Sequence, residues 1–202
     1  MLTSSYKYGA ILLLIAVFMP IASRADSAEE HVAQFQSGLI SVMKEAKTLG
    51  VQGRYNRLEP IVKRTFHLSL MAGLSAGSYW NTATGQQQQR LIEAFTHMSI
   101  ATLATLFDGY SGESFTVTGK RAGPQGTTFV DTSLSVPGRD KDIIISYVAR
   151  KFEGDWLLID IIVDGGISEL KVRISEYRQT LNKGGIEALI SLLNNKANSL
   201  LS

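Results

Sequence analysis

Between Glu113 and Val163 apolar residues recur at every second position, in four segments joined by connections too short to hold a helix. The segments run Glu113 to Lys120, Thr127 to Val136, Asp142 to Phe152 and Trp156 to Val163. The stretches GKRAGPQG, PGRDK and EGD between them are rich in glycine, proline and charge, the residues that turn a chain back on itself. Parallel neighbours need a crossover of about a dozen residues or more, so these strands should pair as an antiparallel meander. The flanking segments have helical periodicity. The order helices, four strands, helices predicts an α+β fold, with helices covering one face of a curved four-stranded antiparallel sheet.

The fourth segment adds the tightest constraint. GDWLLIDIIVDGGISELKVRISEY, Gly154 to Tyr177, reads as an apolar strand that runs through a glycine pair into an amphipathic helix. In a regular strand Trp156, Leu158, Asp160, Ile162 and Asp164 share one face, and Leu157, Ile159, Ile161 and Val163 the other. A strand apolar on one face and nearly so on the other requires cover on both. Phe115 and Val117 of the first strand, Ile143, Ile145, Tyr147 and Ala149 of the third, and Leu157, Ile159 and Ile161 of the fourth would form one continuous apolar wall. Helices that stop short of closing over such a wall leave a cavity for an apolar ligand, and helices that close fully leave an ordinary core. Periodicity alone leaves both open.

The helical segments carry clear start and stop signals. Ser27 with Glu30 three residues on forms a capping box, followed by Val32, Phe35, Leu39, Val42, Ala46 and Leu49 at spacings of three and four; Gly50 and Gly53 should end that helix. Leu58 to Leu74, interrupted by Pro60, Gly73 and Gly77, predicts two short helices with a bend. Thr84 should cap a long helix through the QQQQR run, whose glutamines form a solvated face opposite Leu91, Ile92, Phe95, Met98, Leu103 and Leu106. Two helices close the chain, the first starting at Ser168 and the second following the break at Gly184-Gly185.

Lys7 precedes the apolar run Gly9 to Met19, Pro20 breaks it, and Ser23-Arg24-Ala25 places small residues where a signal peptidase needs them. The run is shorter than the about 20 apolar residues of a membrane span. Residues 1–25 are therefore expected to be a cleaved export signal, with an uncleaved anchor as the alternative, and residues 26–202 a single domain. Removing Lys7 and Arg24 leaves 18 basic residues against 18 acidic. A neutral chain lacks the basic surface that nucleic acid calls for. The sequence has no cysteine, which excludes disulfides and thiolate metal sites and leans toward a bacterial periplasm.

Catalytic signatures are absent from the sequence: there is no GxSxG elbow, no P-loop and no GxGxxG. His31, His67 and His97 lie on separate segments without metal-ligand spacing, so surface or capping roles are expected, and no cofactor or metal is implied. Gly73 and Gly77 mark a bend and a close helix contact. Asp131, Asp160 and Asp164 lie in or at the ends of strands, where a buried carboxylate near Tyr147 would be a candidate general base. An Asp before a strand-end glycine more commonly binds the turn backbone. Tyr79 and Trp80 bring apolar rings with polar tips, suited to a cavity rim or a core.

Three stretches carry a family resemblance: LSLMAGLSAGSYW, AFTHMSIATLATLFDGYSGESFTV and GDWLLIDIIVDGGISELKVRISEYRQTLNKGGIEALISLL. Together they resemble the MlaC or toluene-tolerance (Ttg2-type) family of exported lipid-carrying proteins, over nearly all of the chain after its leader. Within it they are most similar to the hopanoid-biosynthesis-associated HpnM branch. General members have Gly-Val-Ser before the C-terminal helix. Here Gly166-Ile167-Ser168 continues as Glu169-Leu170, with Arg173, Ser175, Glu176 and Tyr177 after it, as in the hopanoid branch.

The resemblance implies a fold similar to the nuclear-transport-factor-2-like cone, with a lipid pocket between sheet and helices. It implies a monomeric periplasmic carrier that takes phospholipid or hopanoid between an inner-membrane transporter complex and an outer-membrane complex. Carried onto this chain, lipid tails would meet Phe115, Val117, Ile143, Ile145, Tyr147, Leu157, Ile159 and Ile161, roofed by Leu70, Met71, Leu74, Phe95 and Leu103. Lys171, Arg173 and Arg178 would reach a lipid head group or an acidic partner, or form a solvated helix face. Two other classes stay open: an enzyme of the same cone shape, an isomerase or hydratase with a carboxylate inside the cavity, and an interaction protein whose wall is a filled core.

Overall fold

The computed structural model describes residues 27–202, so the expected export signal lies outside the described residues. The first helix, α1 (Ala28–Lys44), begins at the anticipated capping box: the Ser27 hydroxyl accepts the Glu30 N–H at 3.1 Å, and the Glu30 carboxylate accepts the Ser27 N–H at 3.3 Å. Its stripe Val32, Phe35, Leu39 and Val42 is buried. The expected continuation to Leu49 is broken earlier. The chain turns at Glu45 and enters α2 (Ala46–Thr65), and Gly50 interrupts that helix at φ +60°, a conformation that glycine takes without strain.

Pro60 lies within α2 and does not end it. The bend comes at Phe66 and His67, where the chain becomes extended and the His67 N–H donates to the Leu158 carbonyl at 2.9 Å. Two short helices, α3 (Leu68–Ala76) and α4 (Ser78–Thr82), lead to α5 (Gly85–Leu106). Thr84 caps it, as anticipated, and Gln87 completes a capping box there. Arg54 of α2 donates to the Ala104 carbonyl at 2.6 Å and to the Ala46 carbonyl at 3.0 Å, satisfying a carbonyl in the last turn of α5.

The sheet is the predicted meander with one addition. Strands β1 (Ser114–Ala122), β2 (Thr127–Ser135), β3 (Ile143–Phe152) and β4 (Asp155–Val163) pair in sequence order, all antiparallel. A fifth, two-residue strand β5 (Ile167–Ser168) folds back on the end of β4 and leads directly into α6 (Glu169–Leu201). Gly184 and Gly185 are non-helical inside α6, so the two expected terminal helices are its two arms. Helices α1, α2, α3, α5 and α6 share one apolar core with β2, β3 and β4. Among the described residues no helix is long and apolar enough to cross a membrane.

Two bulges reset which residues face the helices. In β4, Val148 of β3 opposes Asp160 and Ala149 opposes Leu158, which leaves Ile159 unmatched. Upstream of it Leu158 points into the core and is fully buried; downstream, Ile161 opposes the buried Tyr147. The face expected to carry Leu157, Ile159 and Ile161 together is therefore split, and only Ile161 keeps its assigned side. In β1 the unmatched residue is Thr118, after which Lys120 opposes the buried Val130 and pairs with Glu29 of α1 at 2.6 Å.

Candidate functional site

The helices do not close completely on the sheet. A cavity of about 260 Å³ remains between them. Its floor is Phe115, Ile145, Tyr147, Ile161 and Val163 of the sheet. Phe35 and Leu39 of α1 wall one side, with Val62, Phe66, Leu68 and Met71 from the α2–α3 bend. From α5 come Phe95, Ser99, Thr102, Leu103 and Leu106, all within the narrow arc that three- and four-residue steps produce. Phe107 and the first turns of α6, through Glu169, Leu170 and Arg173, complete the lining.

Seven of the thirteen wall and roof residues named from the sequence meet here: Met71, Phe95, Leu103, Phe115, Ile145, Tyr147 and Ile161. The other six do not, each for a local reason. Leu70 and Leu74 lie on the opposite side of α3 from Leu68 and Met71, on a groove shared with Trp80, and Leu74 is 45% exposed. Leu157 opens onto two outer grooves, and Ile159 is the bulge residue of β4. Val117 lies on the edge strand and is 37% exposed. Ile143 is at the first residue of β3, short of the cavity. The sequence reading missed Phe35 and Phe66, which touch edge to face with ring centroids 5.1 Å apart. Phe35 belonged to a correctly read stripe, but a stripe states that a side chain is buried and not what it is buried against.

Polar groups under the floor are satisfied internally. Gln36 donates to the Thr132 hydroxyl at 3.2 Å, and Thr132 donates to the Ile145 carbonyl at 3.0 Å. Burial pushes the Tyr147 hydroxyl up to about 12, against a weaker opposing hydrogen bond from Gln36; burial likewise raises Tyr177 of α6 to about 12. An unfolded tyrosine loses its proton near pH 10, whereas these two hold theirs in the fold. Their contribution to stability is complete below about pH 10 and disappears as the pH climbs to about 12. Urea midpoints measured across that window should fall, and Tyr147→Phe and Tyr177→Phe together should flatten the fall.

None of the three strand aspartates faces the cavity. Asp131 accepts from Ser146 at 2.5 Å and pairs with Arg121 at 3.3 Å. Asp164 occupies the turn after β4 with φ +48° and accepts the Ile144 N–H at 3.4 Å. Asp160 binds the entry to α6: it accepts the Ser168 hydroxyl at 2.6 Å, the Leu170 N–H at 3.0 Å and the Ile161 N–H at 2.8 Å. Its removal leaves three half-buried donors unpaired, so Asp160→Ala should lower the unfolding free energy by about 1–3 kcal/mol, readable as a lower urea midpoint. Glu169 is the carboxylate that lines the cavity.

The histidines hold structure together. His31 meets the Thr65 carbonyl at 3.0 Å, His67 caps α3 through the Leu70 N–H, and His97 lies between Tyr55 and Asn198. Among the described residues no group of three or more potential ligands is placed to hold a metal ion.

An antiparallel sheet roofed by helices over a residual apolar cavity is the construction of a domain that encloses an apolar ligand. Residues 33–195 match the family model described as MlaC protein, and the chain belongs to the MlaC family. The fold agrees with a solved structure, the phospholipid-binding protein from Ralstonia solanacearum in complex with a phospholipid. That likeness has a TM-score of 0.76 at 18% identity and covers 88% of this chain and 100% of the other. No curated protein matches the chain.

Proposed function

We propose that this chain is an exported lipid carrier that holds the acyl chains of a phospholipid between its helices and its sheet. The observation that carries the reading is the cavity, whose walls are aliphatic and aromatic except for Ser99, Thr102, Glu169 and Arg173. Membership of the MlaC family and the phospholipid bound by the Ralstonia protein of the same fold support it. Each methylene withdrawn from water contributes about 0.8 kcal/mol, so such walls retain acyl chains without a fixed hydrogen-bonding pattern. The cavity of about 260 Å³ lies below the range of about 300–1,000 Å³ usual for ligand pockets. Loading a two-chain lipid therefore requires the helices to move off the sheet, and Phe35, Phe66 and Leu68 are the residues that the cavity shares with the outer grooves.

In this proposal residues 1–25 form a cleaved signal, and residues 26–202 form one monomeric lipid-binding domain. The carrier works in the periplasm between an inner-membrane transporter complex and an outer-membrane complex. The resemblance of the Ser168-Glu169-Leu170 continuation to the hopanoid-associated branch supports a second reading, in which a polycyclic triterpenoid occupies the same cavity through apolar contact alone. A transfer assay tests the carrier reading. With donor vesicles containing pyrene-labelled phosphatidylethanolamine and unlabelled acceptors, transfer should rise with protein concentration. Transfer no faster than the protein-free control, at every concentration, would contradict it.

A further inference from the structure

The charged residues that line the cavity are Glu169 and Arg173, four apart on α6. Residues at this spacing share one helix face, with Cβ atoms about 5–6 Å apart, and a Glu four residues before an Arg is the favourable order for a direct ion pair. That pair is not formed. Arg173 instead reaches Glu176 at 3.5 Å, a long contact to a carboxylate that is 46% exposed, and donates toward the buried Tyr177 hydroxyl, while the Arg173 side chain is itself only 25% exposed. Lys171 and Arg178, the other cations of this turn and the next, are exposed and line no part of the cavity. The backbone at the start of α6 is already engaged, with the Leu170 N–H on Asp160 and the Lys171 N–H on Ser168. A ligand arriving at this end of the cavity therefore meets two side chains of opposite charge, one turn apart, at the edge of an apolar chamber.

We propose that Glu169 and Arg173 form a head-group clamp that selects a zwitterionic phosphodiester lipid carrying an ammonium group. The Arg173 guanidinium donates to the phosphate oxygens, the geometry for which arginine is best suited, and the Glu169 carboxylate accepts from the ammonium. An anionic phosphoglycerol head satisfies Arg173 and leaves Glu169 facing like charge. An uncharged diacylglycerol or triterpenol satisfies neither. The clamp rests on the reading of the cavity as a lipid site and names the class of lipid it prefers.

The test is competitive loading. Delipidated protein is incubated at low ionic strength with vesicles containing equal parts of phosphatidylethanolamine, phosphatidylglycerol and diacylglycerol of one acyl composition. Bound lipid is then extracted and quantified by mass spectrometry. Wild type should enrich phosphatidylethanolamine about tenfold over diacylglycerol, the factor a single charge-assisted contact supplies, and severalfold over phosphatidylglycerol. Arg173→Gln should abolish the preference over diacylglycerol, and Glu169→Gln should equalise the two phospholipids. The ratio is internal to each sample and does not depend on how much of a variant is folded. Wild type that takes up the three lipids in the proportions supplied, or variants that keep the wild-type ratio, would overturn the clamp and leave the carrier intact. No lipid bound in any sample would overturn the carrier reading itself. Soluble glycerophosphoethanolamine in excess should not displace bound lipid; displacement at lipid-like concentrations would assign the site to a free phosphodiester instead.

Discussion

Replacing Leu158 with alanine is expected to destabilise the protein by about 2–5 kcal/mol, whereas alanine at Ile159 should cost far less. Strict alternation places Ile159 with Leu157 and Ile161 on the wall face and Leu158 with Trp156 on the opposite one. The bulge exchanges them. Leu158 is fully buried opposite Ala149, and its carbonyl accepts the His67 N–H that joins the α2–α3 bend to the sheet. Truncating it opens a void beneath Phe66, whose backbone bridges to the same residue. Ile159 is half-buried and unmatched in the ladder. For a chain of this size each kcal/mol moves the melting temperature by about 2–4 °C, so thermal denaturation followed by circular dichroism separates the two variants easily. Equal losses would mean that β4 runs without a bulge.

Ile145→Asp should reduce bound lipid about tenfold or more while lowering the yield of soluble protein much less. Ile145 lies in the middle of the cavity floor and is only partly buried, because open space stands above it. In the free protein an aspartate there retains access to solvent. Acyl chains packed on the floor remove that access, and burying an unpaired carboxylate costs several kcal/mol. Moles of extracted lipid per mole of purified protein give the loading directly. Loading and yield that fall by the same factor would make Ile145 an ordinary core position.

The elements most legible in the sequence are those governed by local chemistry. The four strands fall within two residues of their expected limits, because glycine, proline and charged turns bound them. The Ser27–Glu30 box and the Thr84 cap start helices where the pattern required, and Gly184-Gly185 breaks α6 as anticipated. The bulge in β4 left no trace. Residues 156–163 are apolar except for Asp160, so an inserted residue does not disturb the pattern, and the sign of Asp160 is readable only once its partners at Ser168 and Leu170 are known.

The roof was only half legible for a similar reason. LSLMAGLSA, which forms α3, has leucine or methionine on two sides, and nothing in it distinguishes the Leu68–Met71 side from the Leu70–Leu74 side. On α5 the signal was present but incompletely read: the steps Phe95, Ser99, Thr102 and Leu106 follow the apolar stripe, and small polar residues inside such a stripe point to a surface that is not fully packed. Glu169 and Arg173 stood at helical spacing after the Ser168 cap, yet only the fold brings that turn to the end of the sheet.

The most direct test of lipid carriage is native mass spectrometry of the wild-type protein, purified without detergent from its own cell envelope and then offered phospholipid vesicles. The expected result is a non-covalent adduct of lipid mass that passes into organic solvent on extraction and leaves the bare polypeptide mass behind. A protein that flies only at its bare mass, before and after exposure to vesicles, would contradict it.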